Sequence, residues 1–238
     1  MDNRITTGLV FHVVYSKELD PAYAGSFFFV NFETKNMRRR VMADVPDLGI
    51  NKDVAPNGVY ILHTNDKLYS LSVWNASDSI NAVGVSVLTD NSRFVISPTQ
   101  NSQIAWSNDK VLVSGITTSD DRNIAKADYK GAQNTDAWIT YYGNTEDYAA
   151  GWCRNYTFKN GKKGYLGACG EWWDAYQNKA EVDACMSAIS GQGLSTSIYW
   201  TSTQMHQDAA WLLQWSYGDI SGIIYKDGLG LVRAFCEL

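Results

Sequence analysis

Four cysteines, three histidines and a few close aspartates are the side chains of this 238-residue chain best suited to chemistry, and their spacing argues against most of it. Cys153, Cys169, Cys185 and Cys236 form no Cys-x-x-Cys pair and have no histidine cluster nearby, so a tetrahedral zinc site is not expected. In a reducing compartment they would stay buried free thiols, whereas an extracellular mature protein could join them in two disulfides. His206 and Asp208 lie two residues apart with no third ligand or nucleophile, and they read as contact residues. Asp109, Asp120 and Asp121 lack the alternating oxygen ligands and the glycine of an EF-hand loop, and they read as loop polarity. Nothing in the strand-rich block 58–97 assembles a nucleophile, a base and an oxyanion donor. The one basic run, Arg38-Arg39-Arg40, sits in a chain of net charge -5. It suits a solvated strand end or a subunit contact better than a phosphate site. No catalytic residue, metal, cofactor or nucleic-acid partner is therefore expected, and no run approaches the roughly 18 apolar residues of a membrane span.

Recognition by surface contact is the chemistry the sequence does offer, and it concentrates near the C-terminus. Residues 209–215, 220–226 and 231–235 are rich in large apolar or β-branched types and read as short strands, with 216–219 and 227–230 as their connections. Tyrosine, serine, glycine and aspartate dominate those connections. Rigid aromatics beside small polar residues are the composition of a binding surface; ordinary hairpin turns want the same residues for positive φ.

Other elements must position that region. Residues 8–15 and 26–32 read as strands of a small β-rich N-terminal segment, 1–50. Its Phe27-Phe28-Phe29 run is too continuous for one wet face, so the segment reads as an assembly or oligomerisation region. Asp44 to Pro56 reads as a linker or surface loop. Residues 59–62 and 68–71 form a hairpin about Asn65-Asp66, and 83–88 and 93–97 a second pair. A helix is predicted from an N-cap at Thr145 with Tyr148, Trp152 and Tyr156 as its stripe. A second helical region runs from Gly170 through Ile189 and stops at Gly191 and Gly193. Nine tryptophans imply several that are half-exposed. Residues alone thus give an α+β fold with an aromatic-rich C-terminal sheet.

Tyr199-Trp200-Thr201-Ser202-Thr203, Ala210-Trp211, Lys226 and the terminal Val232-Arg233-Ala234-Phe235 resemble the end of a C-type lectin-like domain of the formylglycine-generating-enzyme subtype. Within it they resemble the variable proteins of diversity-generating retroelements in gut bacteriophages and bacteria. Gly164 to Trp172 is similar to the fold's Arg-Leu-Pro-x-x-x-Glu-Trp signature, with Tyr165 and Gly167 replacing Arg and Pro. The resemblance implies a domain over 51–238, two helices plus a curled antiparallel sheet, with a variable ligand-binding region at 199–235. It implies a fixed scaffold of Trp200, Ser202, Ala210, Trp211, Trp215, Val232, Arg233 and Phe235. The ligand-binding positions would be Tyr199, Met205, His206, Gln207, Asp208, Leu213, Gln214, Ser216, Tyr217, Asp219, Ser221, Ile223, Tyr225, Asp227 and Leu229. Lys226 reads as structural or solubilising, and Arg233 as a buried hydrogen-bonded anchor.

That resemblance makes the chain a non-catalytic receptor-binding protein, such as a phage tail protein. Its partner would be a protein or glycan receptor on a bacterial surface, and the family's habit suggests a homo-oligomer, in particular a trimer. A bacterial surface adhesin or a metal-free glycan-binding lectin is the alternative, since aromatic faces stack on sugars while the Glu-Pro-Asn, Gln-Pro-Asp and Trp-Asn-Asp calcium motifs are absent. The oxidase chemistry of the subtype needs a cysteine pair near the C-terminal end, where Cys236 stands alone. The start of the chain makes a poor signal peptide, so synthesis in a bacterial cytoplasm and display on a virion or the cell exterior are expected.

Overall fold

The chain divides into two units, Met1–Pro46 and Asp47–Leu238. The computed structural model describes residues 47–194, 198–222 and 224–238. The expected N-terminal strands, the Phe27-Phe28-Phe29 run, Arg38-Arg39-Arg40 and the assembly role of 1–50 fall mostly or wholly outside the described residues.

An antiparallel meander opens the described part. Strands β1 (Ile50–Asn51), β2 (Gly58–His63), β3 (Lys67–Tyr69), β4 (Ala82–Leu88) and β5 (Arg93–Ile96) form it. β4 is buried at every residue because both its faces are covered, which is why Val83, Val85, Val87 and Leu88 form an almost unbroken apolar run. Asp66 takes φ 66° at the β2–β3 turn, the left-handed backbone expected of a short polar side chain there. β12 (Ala234–Glu237) and β7 (Tyr165–Leu166) complete a seven-stranded sheet in the order β1-β3-β2-β4-β5-β12-β7. A second sheet, in the order β10-β9-β8-β11-β6, contains β6 (Asn101–Ala105), β8 (Ile198–His206), β9 (Ala209–Gln214), β10 (Asp219–Ser221) and β11 (Leu229–Val232). Among these named strands every pairing is antiparallel except β11 with β8.

Among the described residues there are five α-helices: α1 (Arg122–Lys126), α2 (Gly131–Tyr142), α3 (Ala149–Asn155), α4 (Cys169–Gln177) and α5 (Lys179–Ala188). The two predicted helical regions correspond to α3 and to α4 with α5. The cap at Thr145 is a correction. α3 begins after Tyr148, and Thr145 closes a turn by accepting the Asp147 N–H at 3.3 Å. Asp121, read from sequence as loop polarity, caps α1 by accepting from the N–H of Asn123 at 2.7 Å. Asp121→Ala should cost about 1 kcal/mol, checked by the urea midpoint.

The two sheets meet over aromatic cores. Trp172 lies against Tyr199 and Phe235, with ring centroids 5.0 and 4.7 Å away. Trp106 and Trp200 are locked by donating to the carbonyls of Thr201 and Ile104. Trp106, Trp138, Trp172, Trp200, Trp211 and Trp215 are buried, and only Trp74, Trp152 and Trp173 keep part of their surface in solvent. All four cysteines are free and buried. The fold is therefore α+β with mainly antiparallel sheets.

Candidate binding surface

β8 is the axis of the candidate site, and its mid-section leaves the regular ladder. Pairing with β9 is irregular between Trp200 and Gln204 and again before His206. The backbone there finds other partners: the Ser202 N–H donates to Gly167 and the Gln204 N–H to Thr117, both at 2.9 Å. The side chains form a buried polar network. Thr203 Oγ1 donates to Asp128 Oδ2 at 2.7 Å, and Asn134 Nδ2 reaches both Asp128 Oδ2 and Ser202 Oγ. Buried polar groups of this kind are tolerated because they are hydrogen-bonded to one another.

Gln204 and Lys226 fasten a further loop, residues 107–118, to this sheet. Gln204 exchanges two hydrogen bonds with the Val113 backbone, accepting from its N–H at 3.0 Å and donating to its carbonyl at 2.9 Å. Lys226 Nζ donates to the Val111 carbonyl at 2.6 Å and to Gln204 Oε1 at 2.9 Å, and lies 4.6 Å from the centre of the Trp106 ring. Its backbone ties the hairpin tip to the same loop, donating to Asp208 and accepting from Trp106 and Ser107. Burial pulls the Lys226 amine down to about 8, partly opposed by the Asp208 carboxylate. Lys226 is thus structural, and being buried it does nothing for solubility.

Arg233 is the buried anchor expected of it. It is the single residue between β11 of one sheet and β12 of the other. Its guanidinium donates to the carbonyls of Ser97 and Gln192 and to Gln100 Oε1, at 2.7 to 2.9 Å. Trp200, Ser202, Ala210, Trp211, Trp215, Val232 and Phe235, the other scaffold positions, are all buried as well.

The fifteen expected contact residues fare unevenly. Tyr199 and Leu213 are corrections: they pair across β8 and β9, both 0% exposed, and face the core, where Tyr199 packs on Trp172. Ile223 lies outside the described residues. The other twelve are exposed or half-buried, and ten of them fall into two patches. One surrounds the β8–β9 tip, with Met205, His206, Gln207 and Asp208, joined by Tyr225 through its bridge to Ala209, and by Asp227 on the next turn. The other lies at the opposite end of the hairpin, where Gln214, Ser216, Tyr217 and Asp219 surround the β9–β10 turn. Ser221 lies along β10, and Leu229 stands on β11 beside β6. Among the large side chains of the two patches, Tyr217 and Tyr225 are widely exposed, at 76% and 61%.

Two contributions were not visible in the sequence. Lys110 places its ammonium 5.1 Å from the Tyr225 ring centre, adding the exposed loop 108–112 to the first patch. Arg122 pairs with Asp219 at 3.2 Å, and Lys126 lies over the Trp173 ring at 3.4 Å, edging the second patch with positive charge. Asp121 was the signal for α1, since a helix starting there carries Arg122 and Lys126 toward β10.

Among the described residues, no group of three His, Cys, Asp or Glu side chains is placed to hold a metal ion. No helix there is long and apolar enough to cross a membrane. Burial pushes the thiols of Cys169 and Cys236 up to about 12 and that of Cys185 up to about 11. His63 comes nearest to a catalytic pair, with Nε2 3.0 Å from Asp78 Oδ2, but its Nδ1 accepts the Asn65 N–H and has no nucleophile to serve.

No protein-family model matches the chain, and no curated protein matches it. Among solved structures it is similar to a fimbrial protein from Bacteroides ovatus ATCC 8483, with a TM-score of 0.53 and 12% sequence identity. The alignment covers 76% of this chain and 48% of that one, so the likeness spans about half the fimbrial protein's length and concerns fold.

Proposed function

We propose that this chain is a non-catalytic receptor-binding protein that displays a rewritable loop surface on a C-type lectin-like scaffold outside a bacterial cell. The observation that carries the reading is the division of labour within residues 199–235. Every expected scaffold residue is buried, and twelve of the expected contact residues reach solvent on turns and strand ends held by that scaffold. Such positions tolerate rewriting, because surface substitutions away from special features usually change stability by no more than about 0.5 kcal/mol. Buried thiols held well above the usual range support a binding role over oxidase chemistry, since the thiolate is the reactive form.

In this reading the protein is a retroelement-diversified phage tail protein that binds a protein or glycan receptor as a homo-oligomer, in particular a trimer. The likeness to a fimbrial protein favours a second reading, a bacterial surface adhesin on a related scaffold. The two differ in mounting and in the source of variation. Sequencing the gene with its flank separates them: a near-copy of the codons for 199–235, differing at adenines and beside a reverse transcriptase, is expected for the first and absent for the second. The shared binding claim has its own test. Tyr217→Ala and Tyr225→Ala should each leave the urea midpoint within about 0.5 kcal/mol of the parent, and at least one should weaken binding to whole bacterial cells tenfold. Unchanged cell binding across both variants and a variant of the His206–Asp208 tip would overturn the assignment of the surface.

A further inference from the structure

We infer that the chain carries a second interaction surface, away from the display loops: a groove on the large sheet that takes one extended peptide segment of another polypeptide as an added strand, apolar at alternate residues and cationic at one end. The groove arises where a strand runs out. β2 spans Gly58–His63, yet β3 pairs with it only at Ile61 and Leu62. At Ser70 the chain turns away, its carbonyl accepting from the N–H groups of Val73 and Trp74. The remaining half of β2 keeps β4 on one side and, among the described residues, has no strand on the other. Exposure follows this change: Ile61 and Leu62 are 0% and 1% exposed, Val59 and Tyr60 8% and 7%.

A cavity of about 530 Å³ lies beside this half-strand, bounded by Gly58, Val59 and Tyr60, by Ser70, Leu71 and Ser72, and by Glu181 and Cys185 of α5. A neighbouring strand sits about 4.8 Å away and satisfies every second residue's N–H and C=O, so the occupant that completes this edge is a backbone in extended form. Gly58-Val59-Tyr60 contains no charge and no proline, so the side-chain devices that guard open edges are missing from it. Val59, Leu71 and Cys185 supply apolar contact for alternate side chains. Exposed Glu181 is the only charged lining residue, and it calls for a cation on the occupant. The groove is walled by the 70–72 turn on one side and α5 on the other, so a single segment fits where the edge of a second folded sheet, flanked by its own neighbours, does not. This is recognition by strand addition, in which main-chain hydrogen bonds hold the ligand and side-chain pockets select it.

The test uses the full chain and the peptide acetyl-Lys-Val-Thr-Val-Thr-Val, labelled with fluorescein through a linker on its C-terminal amide so that the lysine ammonium stays free. Saturable binding is expected, with whichever amide of Val59 and Tyr60 faces away from β4 slowing its hydrogen exchange when the peptide is present. N-methylation of alternate peptide nitrogens, or Leu71→Asp at the exposed wall, should weaken binding at least tenfold, while Tyr217→Ala leaves it unchanged. No binding at millimolar peptide, or binding indifferent to N-methylation and to Leu71→Asp, would overturn the inference. Self-association of the free chain that Leu71→Asp abolishes would also overturn it, by assigning the edge to a second copy of the protein. Because Tyr217→Ala reads the display surface separately, failure here is distinguishable from failure of the binding role proposed above.

Discussion

Arg233→Met is expected to lower the stability of the Asp47–Leu238 unit by about 3–5 kcal/mol, a large share of what a domain of this size has. Among the described residues the buried guanidinium has no carboxylate partner; what it satisfies are mainly the carbonyls of Ser97 and Gln192 and the amide oxygen of Gln100. Methionine fills much of the volume and bonds to none of them, and each buried acceptor left alone costs about 1–3 kcal/mol, less where the loop at 192 relaxes toward water. Arg233→Lys should recover only part of the loss, since one ammonium cannot reproduce a planar fork aimed at three oxygens. The measurement is urea unfolding at unchanged m. A shift below 1 kcal/mol would mean that Arg233 does not hold the two sheets together.

Stability should fall as pH rises between about 4.5 and 8, and Glu171→Gln should remove most of that slope. Glu171 is buried between Tyr165 and the start of α4, its Oε1 2.8 Å from Tyr165 Oη and its Oε2 accepting the Ala168 N–H at 2.7 Å. Burial pushes its carboxyl up to about 8, overcoming the opposite pull of those two hydrogen bonds. The folded state therefore holds a proton that the unfolded chain releases near 4.5. Its contribution is complete below that pH and is lost as pH rises through the folded value, on the order of 4 kcal/mol over the window. Glutamine can keep the pattern, accepting from Ala168 and donating to Tyr165 Oη, without a proton to lose. A parent protein whose midpoint is flat from pH 5 to 8 would show that Glu171 stays ionised in the fold.

Much of the frame was legible from residues alone, for reasons that differ by element. The strand pairs around 65–66 and 89–92 announce themselves through apolar runs interrupted by short polar residues, and β4 through four aliphatic side chains in seven positions. α2 was invisible because its buried positions, Gly131, Asn134, Thr135 and Trp138, have helical spacing while three of the four are not apolar. Polar neighbours bury it: Asn134 joins the Asp128 network and Thr135 Oγ1 accepts the Leu166 N–H. The strand expected at 220–226 ends at Ser221, since Lys226 is drawn inward to the Val111 carbonyl and Gln204. Tyr199 and Leu213 were misplaced because β8 is a central strand with cores on both faces, so alternation along it does not mark an outside. The scaffold positions expected from the resemblance are all buried; the loop bearing Lys110 is far away in sequence and nothing in its composition points to the patch it joins.

In the binding role proposed above, the separation of the exposed residues into two patches at opposite ends of one hairpin limits what the surface would recognise. Seven or eight residues of strand put the Tyr225 end and the Tyr217 end about 25 Å apart, beyond the reach of a monosaccharide or a short peptide. A small ligand therefore samples one patch at a time, and two different fragments should bind together without competing. A ligand long enough to touch both would gain through effective concentration what neither end supplies alone, so the proposed role carries with it a preference for extended receptors set by the length of β8 and β9.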